Sequence, residues 1–126
     1  MKRSISDDSA ERIKKNLVKN FSGKIPTGNI TREKIDGLAT SMMASIEKDN
    51  GNLVGTQKRD IVFDAFNELL SMIREISGIK ASELEVVDFY YKNQELFDSL
   101  AYAFKVGFKK IVEMVTQKKG FGCCSG

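Results

Sequence analysis

The sequence has no histidine and no tryptophan, a single proline, Pro26, and only two cysteines, Cys123 and Cys124, which stand side by side. Each shortage removes a class of chemistry. Without histidine there is no Ser-His or Cys-His catalytic pair and no imidazole ligand for a metal. With the cysteines adjacent there is no Cys-x-x-Cys, and a zinc site has no soft ligand set. What remains for catalysis is carboxylate, lysine, tyrosine or a lone thiol, so neither an enzyme nor a cofactor nor a small-molecule substrate is expected. No run approaches the roughly 18–20 apolar residues of a membrane span. The opening "MKRSISDDSAERIKK" is basic at its start but has no apolar core of a secretory signal. The expected setting is therefore cytoplasmic and reducing, in which a Cys123–Cys124 disulfide does not form. Lys2 at the second position excludes N-terminal myristoylation.

What is present suits one folded domain. The chain has 126 residues, 41% of them hydrophobic and 29% charged, enough to bury roughly two-thirds of the surface of the unfolded chain. The formal charge of +3 is unevenly spread: residues 1–35 carry +5, residues 36–104 carry −6, and residues 105–126 carry +4. Basic ends around an acidic middle favour self-association or contact of the ends with an anionic surface.

The hydrophobic spacing is helical throughout. Ile13, Leu17 and Phe21 recur every four residues behind Asp7, Asp8 and Glu11, which suit the positive end of a helix dipole, and Gly23 follows. "KIPTGNI" breaks the pattern. Thr31 is placed to cap a second helix with Ile35, Leu38, Met42 and Ile46 on one face. "KDNGNLVG" ends it, with Asn50-Gly51 favouring a turn of positive φ. Thr56 is read as the cap of a third helix whose stripe of Ile61, Val62, Ala65, Phe66, Leu69, Leu70, Ile73 and Ile76 is the widest in the chain. So wide a stripe implies several neighbours and a central position. Gly78 closes it, and Ser82 opens the next segment. Asn93-Gln94 marks a kink or a fresh start before a stripe of Leu96, Leu100, Phe104, Phe108, Ile111 and Val115 that runs to Lys118. Gly107 inside that stripe reads equally as a close helix crossing or as a weak helix. The expected fold is all-α: an antiparallel bundle of four main helices with a short fifth over 82–92. Residues 1–119 form the helical domain and 120–126 a flexible basic Gly/Cys tail.

Several motifs fail on spacing. With Gly51 as the sixth residue of a calcium loop, Ile46, Lys48 and Gln57 would occupy ligand positions that need oxygen donors of another kind. "GNLVGTQK" lacks the Gly-Lys-[Ser/Thr] ending and the preceding strand of a phosphate loop. Asp60, Asp64 and Glu68 form an acidic row on the third helix, which is ordinarily a solvated face. "REISGIKASELEVVDFYYKN" has the rhythm of a helix-turn-helix, but Glu83, Glu85 and Asp88 in the would-be reading helix have the wrong sign for a polyanion. Sequence-specific nucleic-acid binding is not expected. A weaker reading as a nonspecific nucleic-acid-associated basic protein rests on Arg12, Lys14, Lys15 and Lys19.

Aromatics gather in the last third. Phe89, Tyr90 and Tyr91 are consecutive, so one helix face cannot bury all three, and they are the leading candidates for an interaction surface with protein partners or other copies. Lys109, Lys110, Lys118 and Lys119 are placed with them as basic contacts. In "KKGFGCCSG" an exposed thiol beside lysines is chemically suited to acylation, and one acyl chain next to a polybasic patch is the two-signal arrangement that membrane anchoring requires. Lipidation of Cys123 and Cys124, a packed assembly contact, and no role at all remain open for this tail.

The stretch "ITREKIDGLATSMMASIE", a glycine-containing loop and "TQKRDIVFDAFNELLSMI" together resemble small uncharacterised helical proteins of large nucleocytoplasmic DNA viruses. In these a Lys-rich cap leads into an "IV-x-x-x-x-x-x-L" helix, and a late basic helix finishes in a cysteine-containing tail. The resemblance spans residues 30–126 and brings no catalytic residues. It implies a virion component, such as a minor capsid or membrane-proximal protein. The expectation is thus a non-catalytic helical structural or interaction protein, with a peripheral membrane adaptor lipidated at Cys123 and Cys124 as the alternative.

Overall fold

Ser6 starts the first helix by accepting a hydrogen bond on its hydroxyl from the Ser9 amide at 3.2 Å. Asp7 and Asp8 follow in the first turn of α1 (Asp7–Ser22), where the exposed amides favour negative charge. In the computed structural model, which describes residues 2–107, four further helices follow: α2 (Arg32–Asn50), α3 (Gly55–Arg74), α4 (Ala81–Tyr90) and α5, helical over 94–107. The protein is all-α. The expected contacts at Lys109, Lys110, Lys118 and Lys119, the cysteine pair and the run of the last helix to Lys118 lie outside the described residues.

The second helix begins as its sequence dictates, with the Thr31 hydroxyl accepting from the Lys34 amide at 3.3 Å. Ile35, Leu38, Met42 and Ile46 are buried as their spacing requires, and Ala39 and Met43 widen the same face. The third helix is central. It packs against α1, α2 and α4, and seven of the eight residues of its stripe are buried, Ile76 lying half-buried beyond its end.

Three boundaries differ from expectation, each for a physical reason. Gly51 has φ −62 and continues the helical backbone. It is needed for a close approach: a Cβ there would stand 2.6 Å from the Glu47 carbonyl oxygen. Thr56 lies inside the first turn of α3, whose N-cap is Val54 with no side-chain cap. The N-terminal arm sets that boundary. Arg3 donates from its amide to Asn52 O at 2.8 Å and accepts from the Val54 amide at 2.9 Å. The Gln57 amide group both accepts from Ile5 N at 3.0 Å and donates to Ile5 O at 2.8 Å. Beyond α3, which ends at Arg74, Gly78 turns the chain with φ +81, a conformation that favours glycine.

The last boundary is at α4, which starts at Ala81 because Glu83 rather than Ser82 organises its entry. One carboxylate oxygen of Glu83 accepts from Lys80 N at 3.1 Å and the other from Ile30 N at 2.8 Å. These bonds tie the α1–α2 connector to α4 and hold the Glu83 carboxyl below the usual carboxylate range. Asn93 makes a separate start of α5. Its side-chain oxygen accepts from Leu96 N at 3.1 Å, while Lys92, at φ 55, donates its amide to Asn67 at 2.6 Å. Gly107 makes no close crossing among the described residues, since a Cβ there would meet nothing within 4 Å.

Candidate interaction surface

The aromatic run on α4 divides by rotation of the helix, about 100° per residue. Val87 and Tyr90, three apart, turn inward and are buried. Tyr90 is only 4% exposed, donates its hydroxyl to Asp36 at 2.7 Å, and packs edge-on to Phe66. Burial and the Asp36 carboxylate push its phenol well above its ordinary value. Tyr90 is therefore a structural residue and is removed from the expected contact surface, because its ring is buried and its hydroxyl is bonded to the half-buried Asp36.

Its neighbours stay outside. Phe89 is 45% exposed, with the Arg32 guanidinium over its ring at 4.6 Å. Tyr91 is half-buried, with Arg74 at 4.6 Å and Lys92 at 5.3 Å from its ring centre. Arg74 also meets Asp88 at 2.8 Å. The cations on this edge are already engaged with its aromatics. The acidic row of α3 is likewise divided, with Asp60 near Arg59 at 3.8 Å and Glu68 near Lys14 at 3.5 Å.

A larger opening lies elsewhere, between the end of α2, the start of α3 and the length of α5. This groove encloses about 790 Å³. Met43, Ile46, Val62 and Phe97 give it an apolar floor. Phe97 is held there by ring contacts with Phe63 and Phe66 at 5.1 and 5.7 Å. At its edge lies Tyr102, 71% exposed.

The groove's polar groups are mostly neutralised in place. Lys58, 8% exposed, donates to Glu47 at 2.5 Å and to Gly51 O at 3.2 Å. Lys2 donates to the same carbonyl at 2.7 Å, so two ammonium groups serve the negative end of α2. Arg59 approaches Asp98 at 3.7 Å, and Asp98 also accepts from Gln94 at 3.0 Å. Lys105, at the far edge, forms no ion pair among the described residues. No buried side-chain nitrogen or oxygen among the described residues lacks a hydrogen-bond partner, and their acidic groups nowhere assemble in threes around a metal position.

This arrangement can hold apolar side chains and fix their orientation by charge at the rim. The sequence alone does not single out Tyr102, Asp98 or Lys105. Their spacing on one helix was visible, but the groove exists only where three separate elements meet. Among the described residues no helix is long and apolar enough to cross a membrane. Compared with known protein families, curated proteins and solved structures, the chain finds no match.

Proposed function

We propose that this chain is a non-catalytic helical interaction protein, a structural part of a larger assembly, which engages protein through the groove between α2, α3 and α5. The support is the exposed Tyr102 lining the same groove as an apolar floor and several charged side chains. A tyrosine there supplies large contact area at small entropic cost, and such residues dominate binding when water is excluded around them. The resemblance of residues 30–126 to viral helical proteins makes a virion or capsid-assembly role the specific form of this reading.

Photo-cross-linking in the native source tests it. The full chain carries benzoylphenylalanine in place of Tyr102 or, as control, of Asp64 on the solvated row of α3. Adducts to polypeptide are expected from position 102 and not from position 64. Equal yields from both positions, or none from 102, would overturn the reading.

A second reading rests on "KKGFGCCSG", where a thiol pair adjoins lysines: the chain is a peripheral membrane adaptor acylated at Cys123 and Cys124. Intact mass of native protein decides it, because an unmodified chain carries no acyl increment.

A further inference from the structure

The charges of α5 point to an occupant for the groove. The two charged α5 residues that line it, Asp98 and Lys105, are seven positions apart. Seven residues are close to two helical turns, so both lie on one stripe, about 10 Å apart along the axis. Ala101 and Tyr102 stand midway between them and line the same groove. A stripe with an acid at one end, a base at the other and a small residue beside an aromatic at its centre is complementary to its own reverse.

We propose that the occupant is a second copy of this chain, seated so that the two α5 helices run antiparallel across a two-fold axis at Ala101–Tyr102. This rests on the interaction reading above and gives it a partner. In that arrangement Asp98 of each copy meets Lys105 of the partner subunit, and the small Ala101 lets the helices approach while each Tyr102 covers the apolar lining of the other copy. A parallel pairing would set Asp98 against Asp98 and Lys105 against Lys105, which electrostatics disfavours. The two groups differ in how they are held. Lys105 makes no ion pair among the described residues. The side chain of Asp98 remains 42% exposed, and its contacts with Arg59 and Gln94 both use Oδ1. A closed two-fold contact of this kind is self-complementary and ends at the dimer.

The chain's own residues 108–126 fit the rim less well. They carry Lys109, Lys110, Lys118 and Lys119 against Glu113 alone, and so lack the balanced acid-and-base pair that a second copy offers through Asp98 and Lys105.

Sedimentation of the full chain under reducing conditions, from micromolar to several hundred micromolar, tests the proposal. A concentration-dependent dimer is expected. Tyr102→Glu abolishes it with helical content unchanged. Lys105→Glu alone and Asp98→Lys alone each weaken it about tenfold or more, because every copy then meets like charge. An equimolar mixture of the two single variants regains association, since each supplies the charge the other now lacks. If Asp98→Lys fails to fold, the benzoylphenylalanine chain replaces it, with an adduct of twice the chain mass expected from position 102 in purified protein. A monomer throughout the concentration range, or a dimer indifferent to Lys105→Glu and Tyr102→Glu, overturns the proposal. A monomer whose position 102 captures an acidic helical polypeptide in the native source overturns self-pairing and leaves the interaction reading standing. Cross-links only to residues 108–126 of the same chain overturn both.

Discussion

Tyr90 and Tyr102 sit on successive helices of one chain, yet they end in opposite environments. Tyr90 lies where α4 meets α2 and α3, its hydroxyl bonded to Asp36 and its ring against Phe66. Tyr102, on α5, lines the groove with most of its surface in water. The difference comes from what surrounds each helix. The entry to α4 is fixed at Glu83 by Ile30 and Lys80, and its exit by Asn67 and Asn93. With both ends pinned, the phase of α4 is set and one tyrosine must face inward. Over α5 only Phe97 is fully committed to the core, while Leu96, Leu100 and Phe104 are half-buried. In α4 Tyr90 is committed to the fold while Phe89 stays outside, and in α5 Phe97 is committed while Tyr102 stays in water.

The sharpest way to break this contrast is to remove the residue that joins the two regions. Phe66 touches both Tyr90 and Phe97 and is 1% exposed. Phe66→Ala is expected to lower unfolding free energy by about 3–5 kcal/mol in urea denaturation, from lost transfer energy and the cavity left behind. A loss confined to the range of surface substitutions would show that the two regions do not share a core.

Much of that core was legible in sequence. Ile35, Leu38, Met42 and Ile46, and the stripe from Ile61 to Ile73, keep helical period and are buried. Thr31 was readable as a cap because its geometry is local. Thr56 was not, because the start of α3 is set by Arg3 and Ile5, some fifty residues away in sequence. Leu53 is fully buried in a connector that carries no period to reveal it. Tyr90 was assigned to the surface with its neighbours because counting three consecutive aromatics says that some are exposed, not which; that depends on the pinned ends of α4. The groove was the least legible feature, since α2, α3 and α5 each contribute a side that looks ordinary alone.

The region between α2 and α3 gives a second, smaller test. Gly51→Ala places a Cβ against the Glu47 backbone, where no flexible side chain can yield. A loss of roughly 1–3 kcal/mol is expected. Because Glu47 and Gly51 both hold Lys58 at the rim of the groove, the variant should also disturb association more than its stability loss alone predicts. Equal stability of Gly51→Ala and the parent would mean that the tight approach is not required.

For Tyr90 the prediction concerns the hydroxyl. Tyr90→Phe removes the bond to Asp36 and is expected to cost about 1–2 kcal/mol. The pH dependence follows from the direction of the shift. The phenol titrates higher in the folded protein than its ordinary value of 10.0. Its contribution is therefore complete below that value and is lost as pH rises toward the folded-state value. Chemical denaturation across the alkaline range should show this loss in the parent and a flatter profile in Tyr90→Phe. Glu83 works at the opposite end. Its folded-state carboxyl titrates below its ordinary value of 4.5, so its contribution is present above that value and disappears as pH falls through the folded-state value. Glu83→Gln should flatten the acid limb of the stability profile and leave the alkaline limb unchanged.

The smallest expected effect is the most informative about α5. Tyr102→Ala should change the stability of the isolated monomer by no more than about 0.5 kcal/mol, because a side chain already in water loses little on truncation. Association changes the measurement, however. A dimer that forms only from folded chains stabilises them by mass action, so the denaturation midpoint of the parent should rise with protein concentration. In Tyr102→Ala that dependence should flatten, with the two proteins converging at low concentration and separating as it increases. Convergence at every concentration would assign Tyr102 no part in association. A constant gap that persists at the lowest concentration would place its ring in the monomer's own packing, and the contrast with Tyr90 would then be one of degree.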